Sequence, residues 1–210
     1  MKIVLLPGVR VYKPEPNHEN FLKAVMKKTG CDGEIFTWEP GYKHPEYDLP
    51  LKTLRDFTYE VILDFQEAVT RATEIVVPVG DIYIGHSAGS IIALVRQKPT
   101  VTMASPAPLI ELVNKNTANN QKAIDLLNLI LRNPNIPILN MMNRYDVLAC
   151  PFDKPNVENY QYTGSWYNPN AYNPLFAHSD YWTNSKVINK VSDTINIWVK
   201  NMLKNKDIYV

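Results

Sequence analysis

Apolar residues along this 210-residue chain form short continuous runs that alternate with longer stretches of helical spacing. The run from Lys2 to Leu6 is aliphatic and partly β-branched, which is typical of a strand buried on both faces of a parallel sheet. Between 18 and 28 the apolar residues fall on one face of a helix, and Gly30 supplies the expected stop. The chain therefore opens with a predicted strand and an amphipathic helix.

The same alternation continues to the end of the chain. Further strands are predicted at 34–38, 82–84, 100–104, 137–142 and 157–163. Helices are predicted at 51–73, 91–95, 119–132 and 185–204, and the apolar stretch 75–79 either ends the long helix or forms an extra connection. Alternating strands and helices predict a mostly parallel sheet covered on both faces, in a three-layer α/β/α sandwich. We expect one domain, 1–210.

The composition limits which binding partners and which cellular compartment are expected. The formal net charge of +1 gives no indication of a nucleic acid or an anionic membrane surface as partner. No signal peptide and no membrane span are found, so we expect a cytoplasmic protein. Cys31 and Cys150 lack metal-ligand spacing and are expected to be ordinary reduced thiols, although the sequence leaves a disulfide between them open.

One stretch carries a recognisable chemical motif. The predicted strand at 82–84 leads into Gly85-His86-Ser87-Ala88-Gly89, which fits G-x-S-x-G, and an apolar helix follows. A serine at such a strand-to-helix turn sits in a strained backbone conformation with its hydroxyl raised above the sheet. The flanking glycines are small enough for strand and helix to pass closely. Ser87 is the candidate nucleophile.

A serine hydroxyl needs a base to remove its proton, and histidine is the usual one. Of the four histidines in the chain, His178 is best placed, in the loop before the last helix, and His44 is its main competitor. His86 is adjacent to Ser87, but neighbouring side chains point apart on a sharp turn. We therefore expect His86 to be packed or hydrogen-bonded beneath the turn.

The group that orients the base is expected to be an acid. Asp146 directly follows a predicted strand and lies between Ser87 and His178 in sequence. Asp153 and Asp180 are alternatives, although Asp180 is more easily explained as shaping the histidine loop or starting the last helix. Strand ends on one rim would bring Ser87, Asp146 and the Pro7-Gly8 turn together.

The chain resembles a serine hydrolase of the α/β-hydrolase fold, in a small esterase- or lipase-like form. The resemblance is carried by three features in family order: the G-x-S-x-G motif at Ser87, the Asp146-Val147-Leu148 stretch and His178. The resemblance implies a compact five- to six-stranded sheet and a Ser87, His178, Asp146 triad that cleaves an ester through an acyl-enzyme, with no metal or cofactor. It also implies an oxyanion hole of two backbone N–H groups, those of Val9 and Ala88. Here Pro7-Gly8 stands where the family has a His-Gly pair.

Several points stay open. The same residues would serve a thioesterase, amidase, lactonase or acyltransferase, and a non-catalytic binding domain is the alternative from another class. The expected partner is a small-molecule acyl ester, and the oligomeric state is not predicted. Aromatic side chains of the loops could line an acyl or aryl pocket, although loop aromatics often only pack: Tyr12, Tyr42, Tyr145, Trp166 and Tyr181. Arg10 and Arg144 could recognise an anionic substrate group, although a solvated or ion-paired arginine is the simpler explanation.

Overall fold

The computed structural model of the protein describes residues 1–8, 13–38, 72, 74–107, 133, 135–146, 148–164 and 177–206. The helix predicted at 51–73 falls almost wholly outside these residues, and the helix predicted at 119–132 falls wholly outside them. Six strands are described: β1 (Lys2–Leu6), β2 (Asp32–Ile35), β3 (Ile82–His86), β4 (Thr100–Met103), β5 (Ile138–Asn143) and β6 (Val157–Tyr162). The described helices are α1 (Pro16–Thr29), α2 (Gly89–Leu94), a 3₁₀ turn (Asp180–Trp182) and α3 (Ser185–Lys206).

All six strands form one parallel sheet in the order β2-β1-β3-β4-β5-β6. The chain starts in the interior of the sheet, adds β2 on one side and then continues from β3 on the other. The strand order therefore reverses between β1 and β3. Ligand sites in open parallel sheets form at such a point, beyond the carboxyl ends of the strands.

Alternate strand residues point to opposite faces, and each face has its own core. One core joins Val4, Leu6 and Tyr83 to the buried helix α2. The other joins Ile3 and Leu5 to α1 and α3, which pack against each other. Helices therefore cover both faces, and the predicted compact α/β sandwich is confirmed.

Helix α1 has two sequence-encoded ends. The backbone N–H of Glu15 donates to Nδ1 of His18, while the Glu15 side chain accepts from the His18 backbone N–H, so the two residues form a capping box before Pro16. At the other end Gly30 adopts φ 68°, a left-handed conformation that suits glycine, and its N–H bonds to the Met26 carbonyl.

The second strand was predicted at 34–38 and is found at Asp32–Ile35. Its partner β1 ends at Leu6, and the proline that follows has no N–H to continue the ladder. Phe36 still donates to the Leu5 carbonyl, and beyond it the chain leaves the sheet. Trp38 is therefore a buried residue outside the strand.

Stretch 75–79 is irregular, so the interpretation as a connection is correct. Both cysteines are free thiols, Cys31 buried and Cys150 partly exposed, as expected. Over the ranges described, no helix has both the length and the apolar character needed to cross a membrane.

Candidate active site

Ser87 lies at the rim of the sheet, where the strand order reverses. Leu6 at the end of β1 pairs with Gly85 near the end of β3, so the residues that follow the two strands are neighbours. A Cβ placed on Gly8 would lie 3.0 Å from Ser87 Cβ and 3.5 Å from Ser87 Oγ. The Pro7-Gly8 turn therefore stands directly beside the candidate nucleophile.

The backbone of Ser87 is strained, as the motif predicts. Its φ is +51°, in the left-handed region that residues with a side chain seldom occupy. The turn is possible because the chain packs closely around it: a Cβ on Gly85 would lie 2.4 Å from Ser90 Cα, and one on Gly89 would lie 2.4 Å from the Pro7 carbonyl oxygen. Both positions require glycine because backbone atoms occupy that space.

The fully buried hydroxyls of Ser90 and Ser105 stabilise this turn by hydrogen bonds. Ser90 Oγ donates to the Ser87 carbonyl at 2.6 Å and lies 2.7 Å from Ser105 Oγ. Because Ser90 has one hydroxyl proton and gives it to Ser87, Ser105 must be the donor to Ser90. Ser105 Oγ in turn accepts from the Ala107 N–H at 3.3 Å. This chain of hydrogen bonds fixes the carbonyl of the strained residue.

His178 and Asp146 are in contact. Nδ1 of His178 lies 3.1 and 3.2 Å from the two Asp146 carboxylate oxygens. The carboxylate also accepts from the Leu148 N–H at 3.0 Å and from the Tyr181 hydroxyl at 3.0 Å. Burial alone would raise the pKa of Asp146, but the hydrogen bond and charge of His178, with the Leu148 and Tyr181 donors, lower it below its ordinary value. Asp146 is therefore ionised at neutral pH.

Tyr181 does not line a pocket. It is fully buried, accepts the Asn143 N–H at 2.7 Å and donates to Asp146. Asn143 also reaches the histidine loop, because its side-chain amide donates to the Ala177 carbonyl at 3.4 Å. These two residues hold the acid loop and the histidine loop together. Of the two roles that the sequence left open for Tyr181, lining a pocket or packing, its burial favours packing.

His86 is hydrogen-bonded beneath the turn, as predicted. Its Nε2 lies 2.7 Å from the carbonyl oxygen of His178, and the two ring centroids are 4.8 Å apart. This contact brings the loop that carries His178 against the residue that precedes Ser87. The Nε2 atom of His86 is therefore engaged by a backbone carbonyl of another loop, whereas Nδ1 of His178 is paired with an acid.

The remaining candidates are placed as follows. Within the described ranges no hydrogen bond joins Ser87 Oγ to His178. Asp180 accepts from Asn184 Nδ2 at 3.0 Å, and Asp153 is exposed, so the acid that contacts His178 is Asp146. Ala88 is buried at the N-terminus of α2. Other predicted site residues lie outside the described residues: Val9, Arg10, Tyr12, Tyr42, His44 and Trp166.

The indole of Trp38 takes part in the rim, which the sequence did not indicate. Its Nε1–H donates to the Pro7 carbonyl at 2.9 Å, and both groups are buried. Trp38 therefore fixes the carbonyl of Pro7 in the turn beside Ser87. Across the chain segments that the structure describes, no cluster of three or more His, Cys, Asp or Glu side chains could hold a metal ion.

Comparisons with known proteins give a likeness in structure but none in sequence. No protein-family model matches the chain, and no curated protein matches its sequence. Among solved structures, the chain is similar to the crystal structure of the esterase domain from a Rhodothermus marinus protein, with a TM-score of 0.48 and 11% sequence identity. The match covers 95% of this chain and 86% of that one. An identity this low assigns no role to any residue of the site.

Proposed function

We propose that this protein is a serine hydrolase that cleaves a carboxylic ester through Ser87, His178 and Asp146, by way of a covalent acyl-enzyme. The observation that carries the proposal is the pairing of His178 Nδ1 with the buried Asp146 carboxylate at 3.1 Å, on a loop hydrogen-bonded to the residue before Ser87. The positive φ of Ser87 supports it, since a strained turn of this kind is typical of a serine nucleophile at the end of a strand.

The protonation states follow from this pairing. An ionised carboxylate only accepts hydrogen bonds, so Nδ1 of His178 carries the proton that faces Asp146. The lone pair of the imidazole is then on Nε2, the nitrogen that takes the Ser87 proton. As His178 becomes an imidazolium, the buried negative charge of Asp146 stabilises it.

The reaction proceeds in two halves. Ser87 Oγ bonds to the ester carbonyl carbon while its proton passes to His178, and the carbonyl oxygen becomes an oxyanion. The backbone N–H groups of Ala88 and Val9 are the proposed donors to that oxyanion. The ester C–O bond then breaks, and the leaving alkoxide takes the proton from His178. Water attacks the acyl-enzyme with His178 again as base, which releases the acid and restores the Ser87 hydroxyl.

The competing function is a non-catalytic binding domain that uses the same rim. The lack of a Ser87–His178 hydrogen bond in the described part of the chain is the one observation that favours it. That bond is often long in substrate-free hydrolases and tightens when substrate binds, so the pairing of His178 with Asp146 carries more weight. A small-molecule acyl substrate and a cytoplasmic location remain predictions from the sequence.

Turnover of a panel of p-nitrophenyl esters, thioesters and anilides tests the proposal and ranks the acyl chemistries. We expect ester hydrolysis by the wild type and loss of at least about 10³-fold in kcat for Ser87→Ala. Ser192→Ala is the matched control, because Ser192 is a buried serine of α3 whose hydroxyl bonds only to the Ile188 carbonyl within the described contacts. Wild-type protein that cleaves nothing, or Ser87→Ala that cleaves as well as wild type, would refute the proposal.

A further inference from the structure

The ring of His86 connects the two loops that flank Ser87. At one end Nε2 lies 2.7 Å from the carbonyl oxygen of His178. A carbonyl oxygen can only accept, so Nε2 carries the hydrogen and donates it. At the other end, a Cβ on Gly8 would lie 3.5 Å from Nδ1. The side chain therefore reaches from the Pro7-Gly8 turn to the backbone of the candidate base.

Packing leaves this ring little freedom. His86 is 7% exposed, and its ring centroid lies 4.8 Å from that of His178 and 4.7 Å from that of Trp182. Tyr181, which donates to Asp146, lies 5.8 Å away in an edge-on contact. The Nε2–H therefore points at one acceptor in a fixed direction. Because the ring is held in place, a movement of the His178 backbone must be accompanied by a movement of His86, and the reverse.

His86 is also neutral in the working range. Burial, with the nearby His178 as a further cause, lowers the pKa of His86 to about 3. A neutral ring donates to the carbonyl without placing a second positive charge beside the imidazolium that forms on His178. Because its Nε2 already holds a proton, this nitrogen cannot take the proton of Ser87.

We propose that His86 is a positioning residue of the reaction: its Nε2–H···O=C bond to His178 couples the backbone of the base to the nucleophile turn and sets the separation of Ser87 and His178. The inference rests on the proposed function, since it assigns a role within the same site. Ser87 and His86 are joined by a peptide bond, so a displacement of the histidine loop relative to β3 changes the distance over which the proton is transferred.

Two substitutions separate the hydrogen bond from the packing. His86→Phe keeps an aromatic ring and loses the donor, whereas His86→Gln keeps an amide N–H at about the reach of Nε2. We expect kcat to fall about 10²-fold in His86→Phe with KM changed less than about 2-fold, because a small misplacement of the reacting groups affects the chemical step. His86→Gln should recover most of that loss. Equal kcat in both variants, whether near wild type or equally low, would overturn the proposal.

His18→Phe is the matched control for loss of a buried histidine. His18 packs edge-on against the same Trp182 ring at 4.5 Å, but its Nδ1 accepts from the Glu15 N–H at the start of α1. We expect His18→Phe to lower stability and leave kcat within about 2-fold of wild type, because the hydrogen bond of its ring is to Glu15 and not to the backbone of His178. A fall in kcat as large as that of His86→Phe would show that general loosening explains both, and would overturn the positioning role.

An activity-independent readout separates this inference from the proposed function. In ¹H NMR spectra of ¹⁵N-histidine-labelled protein, the His178 Nδ1–H donated to Asp146 should give a downfield resonance, assigned by its loss in His178→Gln. We expect that resonance to shift and broaden in His86→Phe and to return toward its wild-type position in His86→Gln. An unchanged resonance in His86→Phe would overturn the inference even if the wild type cleaves esters. If the wild type cleaves no ester but the His178 resonance shifts in His86→Phe as expected, only the proposed hydrolase function is refuted.

Discussion

Replacing Tyr181 with phenylalanine removes one oxygen atom from the centre of the site. That hydroxyl accepts the Asn143 N–H at 2.7 Å and donates to the Asp146 carboxylate at 3.0 Å. The ring is fully buried, so water cannot replace either bond without a rearrangement. The substitution therefore weakens the hold on the ionised acid and leaves a backbone amide without its partner.

The expected cost follows from these two bonds. A hydrogen bond to a charged group contributes about 1.5–3 kcal/mol, and a buried N–H left without a partner costs about 1–3 kcal/mol. Because both bonds share one oxygen and neighbouring groups relax, the effects overlap, and we expect Tyr181→Phe to lower the free energy of unfolding by roughly 2–4 kcal/mol. We also expect kcat to fall about 10-fold, because Asp146 then orients His178 less firmly.

Tyr83→Phe supplies a matched control. The Tyr83 hydroxyl has the same bonding pattern, accepting the Gly80 N–H at 3.0 Å and donating at 3.0 Å, but its acceptor is the neutral Pro78 carbonyl, away from the site. Urea denaturation and ester kinetics of both variants should show about 1–2 kcal/mol lost in Tyr83→Phe with normal kcat. Equal loss of stability in the two variants, with wild-type kcat in both, would show that the Tyr181 hydroxyl has no special role at Asp146.

Three further predictions concern the same rim. Gly8→Ala places a methyl group 3.0 Å from Ser87 Cβ. We expect the acylation rate, measured by stopped flow, to fall at least about 10-fold with little change in melting temperature, and an unchanged rate would contradict this contact. Trp38→Phe removes the donor to the Pro7 carbonyl, and a boronic-acid transition-state analogue should bind about 10-fold more weakly while KM changes little; equal affinity would exclude a role for the indole N–H. The pKa of His86 is about 3 in the folded protein against an ordinary 6.5, so the unfolded chain takes up a proton first as pH falls. The contribution of neutral His86 to the free energy of unfolding is therefore complete above pH 6.5 and is lost progressively below it, by about 2 kcal/mol at pH 5. In urea denaturation at a series of pH values, His86→Phe should lack this part of the pH dependence.

Much of the fold is encoded in local patterns. The limits of β1 follow from its uninterrupted apolar run between a charged residue and Pro7, and the prediction at Lys2–Leu6 agrees with the structure. Strand β2 was displaced because its end is set by its partner: β1 stops at Pro7, and no pattern within 34–38 records where a neighbouring strand ends. Strand limits therefore depend on pairing as well as on composition.

The residues of the site also differ in whether the sequence predicts their role. The turn at Ser87 could be predicted because the two glycines and the following helix are contiguous in sequence and produce the strain locally. The role of Tyr181 could not, because it depends on two loops meeting whose residues are 35 positions apart in the chain. Trp38 was missed for the same reason, since its acceptor is 31 positions away. Hydroxyl and indole groups gain such roles only through tertiary packing.

The central claim is that Ser87 is a nucleophile activated by His178. Its most direct test is labelling with a fluorophosphonate probe, with the adduct located by peptide mass spectrometry in the wild type and in His178→Ala. We expect one adduct, on Ser87 and not on the fully buried Ser90 or Ser105, and we expect it to form at least about 10³-fold more slowly in His178→Ala. No adduct on folded wild-type protein, an adduct on another serine, or labelling of His178→Ala at the wild-type rate would contradict it.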